Sequence, residues 1–390
     1  MDVSEARAAV SAPGLAILAS LPDYVPSDAL RAGADLRARG LPPDVVSAAM
    51  TQSRLRSRAR SKFGDFADGM LFTPAGLEQA TRLVVAGLHA RRYIRAGVLR
   101  VADLTTGIGG DAMAMSALGL SVMAFETDEP TALIADYNLR HWPDTVVVHA
   151  DSLDTVRDVD VDAIYADPGR RTSAGMRRND PRDYEPPLDS LLALRDAYPA
   201  LGIKVGPGIP HRAIPSDAEA EWVSVDGEVV EAGLWWGPLS TESGRAALVL
   251  RDGSAHRLAN AGVEVEVGPI GEWLYEPDGA VIRAGLVADF AAEISGHLVD
   301  RTIAYVTAPA AQSSPFATGY RVLDNLAFGV KPLRAYLRAR GIGRVTIKKR
   351  GTAVTPEALR GALDLRGDHE ATIVLTRVKG SQRVLVVEAV

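Results

Sequence analysis

The sequence predicts an α/β fold: a doubly wound, mostly parallel sheet with a helical region before it and a small α+β module after it. Three observations carry this. Residues 98–115, Val-Leu-Arg-Val-Ala-Asp-Leu-Thr-Thr-Gly-Ile-Gly-Gly-Asp-Ala-Met-Ala-Met, read as an apolar strand, a tight glycine turn and the first turns of a helix. From there to about residue 205, apolar runs alternate with helical stretches, the pattern of βαβ units. The charge is divided unevenly: residues 331–390 hold 13 Lys and Arg against 5 Asp and Glu, while the other 330 residues hold 30 against 44. A basic module on an acidic body points to an anionic partner, with nucleic acid first.

Residues 1–60 form the helical region. One helix runs from Ser27 to Arg39 and stops at Gly40; Pro42-Pro43 opens the next, through Val46 and Met50 to about Ala59. Arg54, Arg56, Arg58, Arg60 and Lys62 recur every second residue, which spreads them around an exposed helix. A helix follows from Ala75 to about Tyr93, with Leu77, Ala80, Leu83, Val84 and Leu88 on one face. The predicted sheet occupies 61–251, with strands at 99–104, 121–126, 145–149, 162–166 and 201–205 and helices near 110–118, 130–140 and 187–198. Strands near 221–226 and 245–251 close it as a reversed pair. Residues 252–320 read as a connecting region. In the module at 321–390, a helix (331–339) leads to a strand (344–348). A second helix (356–363) is capped by Thr355-Pro356, and two strands (371–378 and 383–389) meet through 379–382.

Composition narrows the function. At 47% hydrophobic and 24% charged, the 390 residues suffice for full cores. The absence of cysteine excludes disulfides and thiolate–zinc sites, and no histidine has metal-ligand spacing, so no metal is expected. The opening residues lack a basic leader, and the apolar run Gly14–Leu21 is too short to span a bilayer, so a cytoplasmic protein with no membrane segment is expected. The oligomeric state is left open.

The glycine turn selects a nucleotide-like ligand. Gly107, Gly109 and Gly110 allow a sharp bend and close backbone approach, and the following helix presents its free N–H groups. Gly107-x-Gly109-x-x-Ala112 also satisfies a dinucleotide fingerprint. Four acids shift the balance. Asp103 closes the first strand, where it would repel a pyrophosphate and suit a cationic amino group. Glu126 ends the second strand, where an acid accepts from ribose hydroxyls. Asp151 follows the third, where it either accepts from an adenine amino group or caps a helix. Asp167 ends the fourth, beside the reacting end of the pocket. A cationic amino-acid end, a ribose and an adenine together describe S-adenosylmethionine.

These residues carry a resemblance. Asp103–Asp111, Glu126, Asp151 and Asp167-Pro168 resemble motifs I, post-I, II and IV of the class I methyltransferases over residues 62–251. The segment Lys62-Phe63 through Met70-Leu71-Phe72-Thr73 and Glu78-Gln79-Ala80-Thr81 is similar to the one before motif I in the RNA cap guanine-N2, trimethylguanosine synthase-like group. Ile347-Lys-Lys-Arg-Gly351, Pro356-Glu357 and the closing strands resemble a THUMP-like domain. The resemblance implies a Rossmann-like sheet and an S-adenosylmethionine-dependent enzyme acting on an RNA base in tRNA or rRNA. The alternatives are a protein or small-molecule methyltransferase, or a noncatalytic RNA-binding relative.

It implies Asp103, Thr105, Gly107, Gly109, Gly110, Glu126, Thr127, Asp151 and Asp167 against the cofactor, with Thr73 and Gln79, and their neighbours Phe72 and Thr81, covering it. Asp167, Pro168 and Arg170 are the candidate catalytic residues. Gly169 and Arg170 replace the second proline and the aromatic of the amine methyltransferases, so Arg170 and Arg171 are expected either to hold a phosphate or to stack through their guanidinium planes. Arg171, Lys204, Lys348, Lys349 and Arg350 are the candidate substrate contacts.

Overall fold

The structure, a computed structural model, describes residues 1–169 and 180–390. Two compact units divide the chain: residues 1–205 with 234–241, and residues 206–233 with 242–390.

The first unit opens with helices Val3–Val10, Ala12–Ser20, Ala29–Ala38 and Pro43–Phe63. Gly40, at φ +80°, makes the turn between the last two. These helices bury Val46, Leu55 and Phe63 in the same core as Val101, Val122 and Tyr165 of the sheet. The sheet strands are β1 (Arg100–Asp103), β2 (Ser121–Glu126), β3 (Thr145–His149), β4 (Ala163–Ala166) and β5 (Leu201–Val205). They lie in the order β3-β2-β1-β4-β5 with every neighbouring pair parallel. The chain reverses its winding at β1 and β4, so their carboxyl ends flank a switch point, where open α/β sheets hold ligands. Helices Gly110–Ala117 and Glu129–Leu139 follow β1 and β2. The helix expected over 187–198 closes after Leu192 into turns.

One long helix was expected from Ala75 to Tyr93; two are present, Pro74–Gln79 and Leu83–Arg95. The break has a physical cause. Lys62 Nζ donates to the carbonyls of Leu77, Glu78 and Ala80 at 2.9, 2.7 and 2.8 Å, satisfying the end of the first helix. Thr81 then turns inward and is buried. The second helix starts in a new phase, burying Val85, Ala86, His89, Ala90 and Tyr93 and leaving Val84 exposed.

β6 (Glu219–Val225), β7 (Glu228–Trp235), β8 (Gly244–Arg251) and β9 (Ser254–Ala259) run in the order β7-β6-β8-β9, and all but Leu234 and Trp235 of these strands belong to the second unit. β7 was not expected; Asp226-Gly227, both left-handed at φ 50° and 83°, joins it to β6 as a two-residue turn. β6 and β8, expected as a reversed pair, are parallel instead, because β7 intervenes between them in the chain. A seven-stranded sheet contains β10 (Trp273–Pro277), β11 (His297–Asp300), β12 (Ile303–Ala308), β13 (Ala317–Ala327), β14 (Ile342–Lys349), β15 (His369–Val378) and β16 (Ser381–Ala389). Its order is β11-β12-β10-β13-β16-β15-β14. The boundary expected at residue 321 therefore falls inside β13, and β10, β11 and β12, all within the region read as a connector, belong to the same sheet. Helices Val330–Ala339 and Pro356–Leu363 cover the β14–β16 end with Leu333, Leu337, Leu359 and Leu363. Among the described residues no helix is long and apolar enough to cross a membrane.

Candidate functional site

A cavity of about 450 Å³ opens at the carboxyl ends of β1, β2 and β4. The glycine turn forms its floor. Gly107 and Gly109 hold φ +56° and +87°, a region that only glycine enters without strain. Gly107 N–H donates to one carboxylate oxygen of Glu126 at 2.9 Å and Asp128 N–H to the other at 2.9 Å, so Glu126 is held by the loop it faces. Burial raises the Glu126 carboxyl above its usual range, against these backbone donors. Thr105, Gly107, Gly110, Glu126 and Thr127 line the cavity. Gly109 does not: it lies over Leu139, where an added Cβ would come within 3.3 Å, and it serves the turn rather than the wall.

Asp103 is 1% exposed, yet its carboxylate lines the cavity. It accepts from the Thr106 hydroxyl at 2.7 Å and from Thr105 N–H at 3.2 Å, both neutral donors. Burial, with the nearby charges of Asp111 and Asp167, pushes this carboxyl up to about 7 despite those hydrogen bonds. Asp151 lines the wall and also caps helix Ser152–Thr155 through Leu153 N–H at 2.9 Å.

Thr73, Gln79 and Thr81 form a wall on the segment before β1. Two buried amide side chains fix that segment. Gln52 exchanges hydrogen bonds with Phe72 N–H and C=O at 2.9 and 2.8 Å. Asn138 does the same with Leu71 at 2.8 and 2.9 Å, and it also donates to Ile108 C=O at 2.8 Å, tying the wall to the glycine turn. Gly76 lies so close to that turn that a Cβ would meet Ile108 Cγ2 at 2.3 Å. Phe72 is fully buried and packs on Phe63 at 5.7 Å between ring centres, so it supports the wall from behind.

Asp167 lines the cavity, and its N–H donates to the Thr105 hydroxyl at 2.5 Å. Pro168 is buried and is not on the wall; its part is to hold the turn. Gly169 pairs through both backbone groups with Glu185 at 2.7 and 3.1 Å, which brings Glu185, Pro186 and Pro187 to the wall. Nothing in the sequence pattern marked those three. Arg170 and Arg171 lie outside the described residues.

Lys204 was expected to contact substrate; the structure instead turns it inward. It is 6% exposed, with Nζ 2.5 Å from Asp167 Oδ2 and donating to the Thr81 hydroxyl at 2.8 Å. Thr81 in turn donates to Asp111 Oδ2 at 2.6 Å, and Asp111 Oδ1 lies 2.8 Å from His89 Nδ1. Burial alone would raise Asp111, but His89, Lys204 and Thr81 hold its carboxyl below the usual range. His89 was missed; the available signal was a single polar residue in the apolar stripe of its helix.

The basic triplet of β14 splits by strand alternation. Lys348 pairs with Glu276 at 2.6 Å, and Arg350, just past the strand, lies 3.7 Å from the same carboxylate. Both are thus committed to Glu276, contrary to the expected substrate contacts, while Lys349 is exposed. Among the described residues no group of His, Asp or Glu is placed to hold a metal ion.

Sheet order, glycine turn and strand-end acids define a class of α/β protein that holds a cationic nucleoside-like ligand at its switch point. Comparison with known proteins makes the class specific. Two relatives from Mycobacterium tuberculosis, strains CDC 1551 / Oshkosh and ATCC 25618 / H37Rv, each named an uncharacterized S-adenosylmethionine-dependent methyltransferase, are 34% identical over 337 residues, covering 83% of this chain and 90% of theirs. The chain belongs to the S-adenosylmethionine-dependent methyltransferases. A crystal structure from Porphyromonas gingivalis W83, described as a candidate methyltransferase, shares the fold with a TM-score of 0.78 at 21% identity, over 99% of this chain and 98% of that one. Family models match residues 317–389 as THUMP domain-like and 2–59 as a domain of unknown function (DUF8688).

Proposed function

We propose that this methyltransferase acts on a base of RNA, in tRNA or rRNA. The observation that carries the RNA reading is the coincidence of the THUMP domain-like match at 317–389 with the basic stretch at 331–390. The cavity suits S-adenosylmethionine: Asp103, Glu126 and Asp151 accept hydrogen bonds from backbone N–H groups and a hydroxyl, and Asp103 is a buried carboxylate in want of a cation. In this reading Asp103 holds the amino group, Glu126 the ribose hydroxyls and Asp151 the adenine amino group. Thr105, Gly107, Gly110 and Thr127 contact it from the turn and strand ends; Thr73, Gln79 and Thr81 cover it. When bound, the cofactor supplies an electrophilic methyl on a sulfonium. The protein's share is alignment, and Asp167 accepts a hydrogen bond from the N–H of the acceptor. Of the basic triplet, Lys349 faces the RNA. Purified protein is incubated with labelled S-adenosylmethionine and total RNA from cells lacking the protein, followed by nucleoside analysis. One newly labelled nucleoside is expected. Cofactor binding by calorimetry with no label in any RNA would overturn the RNA reading.

A further inference from the structure

We propose that Lys204 is a positioning residue: it fixes the Asp167 carboxylate, and Thr81 links it to the wall over the cofactor. The proposal rests on the reading of the cavity as the methyl-transfer site. Ala166 and Ile203 are register partners on β4 and β5, so Asp167, just past the end of β4, and Lys204, still within β5, come side by side. A buried ammonium is stable only where its charge is paired and its donors are used. Here Asp167 supplies the charge, at 2.5 Å, and the Thr81 hydroxyl accepts at 2.8 Å. Thr81 gives its own proton to Asp111, which His89 anchors behind.

This chain of contacts has two consequences. Asp167, with one oxygen on the Lys204 ammonium, serves as a hydrogen-bond acceptor, so the group it orients must present an N–H or O–H. Thr81 belongs to the segment that Lys62 caps and that forms the pocket wall. Its hydroxyl touches Lys204 on one side and Asp111 on the other. A ligand that orders the wall therefore orders Lys204, and Lys204 orders Asp167.

The test uses the full-length protein with its six lysines ¹⁵N-labelled, S-adenosylhomocysteine as the probe, and the Lys204 ammonium signal assigned from its shift in Asp167→Asn. The probe is expected to move that signal in the wild type and to move it by less than half as much in Thr81→Val. A signal that ignores the probe, or one that responds equally in Thr81→Val, overturns the coupling. A second arm measures turnover on total RNA and affinity for S-adenosylhomocysteine. Lys204→Met is expected to lose on the order of 10- to 100-fold in turnover, with affinity for the probe within about threefold. Adding Thr81→Val should cost little more, because the two residues act in one chain. Turnover within about twofold of wild type, or losses that multiply, overturn the positioning role. Where Lys204→Met fails to fold, Lys204→Met with Asp167→Asn leaves no unpaired charge on either partner, and the probe response of Thr81→Val decides. A wild type that methylates no RNA yet shows the coupled signal overturns the RNA reading and leaves the positioning role standing.

Discussion

The cavity of the first unit and the basic stretch of the THUMP domain-like region both concentrate charge, but they treat it in opposite ways. At the cavity, Asp103, Asp111 and Lys204 are each less than a tenth exposed, and each is fixed by short hydrogen bonds. In the THUMP domain-like region, Arg338, Arg344 and Arg366 pair with Asp364 or Glu370 in the open, where an ion pair contributes little. Burial makes each charge at the cavity expensive to misplace and able to shift a neighbour's protonation. Exposure makes each charge in the other region nearly independent, an additive attraction for an anion. Single substitutions should therefore act steeply at the cavity and shallowly in the basic stretch.

The largest effect is expected at Asp103. Asp103→Ala removes the carboxylate proposed to pair with the cofactor's amino group, and affinity for S-adenosylmethionine should fall by about 100-fold, read by calorimetry; on the order of 3 kcal/mol is the ordinary scale for losing a buried charge-assisted contact. Binding within threefold of wild type would remove Asp103 from the proposed site.

Asn138→Ala comes next. It takes away three buried hydrogen bonds and leaves Leu71 N–H, Leu71 C=O and Ile108 C=O without that partner. Urea unfolding should show a loss of about 2–3 kcal/mol. Affinity for the cofactor should fall too, because this residue ties the wall to the glycine turn.

These residues show what the sequence revealed and what it hid. The strand-end acids and the glycine turn were legible because local spacing places them: an acid after an apolar run ends a strand whatever the rest of the chain does. The helix break at Ala80–Arg82 was hidden, since its cause is Lys62, distant in sequence and indistinguishable there from the exposed arginines around it. His89 and the Glu185–Pro187 wall were hidden for the same reason, being brought to the site by tertiary contacts. β7 was different. Asp226-Gly227 is a strong local hairpin signal that was passed over, as was Asp252-Gly253 between β8 and β9.

A milder effect is expected from pH. The Asp103 carboxyl titrates near 7 in the folded protein against 3.8 ordinarily. A folded value raised this way means that ionising Asp103 costs stability, so its contribution falls as pH rises from about 4 to about 7 and is flat above. A bound cation reverses the preference. Affinity for S-adenosylmethionine should climb with pH by at most about tenfold per unit below 7 and level off above, with uptake of the ligand releasing up to one proton. Calorimetry in buffers of different ionisation enthalpy reads that proton, and Asp103→Asn should abolish both the slope and the release.

The smallest effect separates two adjacent lysines. Lys348 and Lys349 carry the same charge, one residue apart, on opposite sides of β14. Half-burial would lower the Lys348 ammonium, but Glu276 and Tyr320 hold it above its usual range, and its Nζ also lies over the Tyr320 ring at 5.2 Å. Lys349 is exposed. Lys348→Ala should therefore leave Glu276 short of a partner and lower Tm by roughly 2–4 °C, with little change in the salt dependence of RNA binding. Lys349→Ala should leave Tm unchanged, weaken RNA binding a few-fold at every sequence tested and reduce the slope of log K against log salt by about one. Filter binding over a salt series and thermal unfolding of both variants read the four quantities. If Lys348→Ala flattened the salt slope as much as Lys349→Ala, the ion pair with Glu276 would not hold Lys348 back from RNA, and the contrast between committed and available charge would fail within this strand.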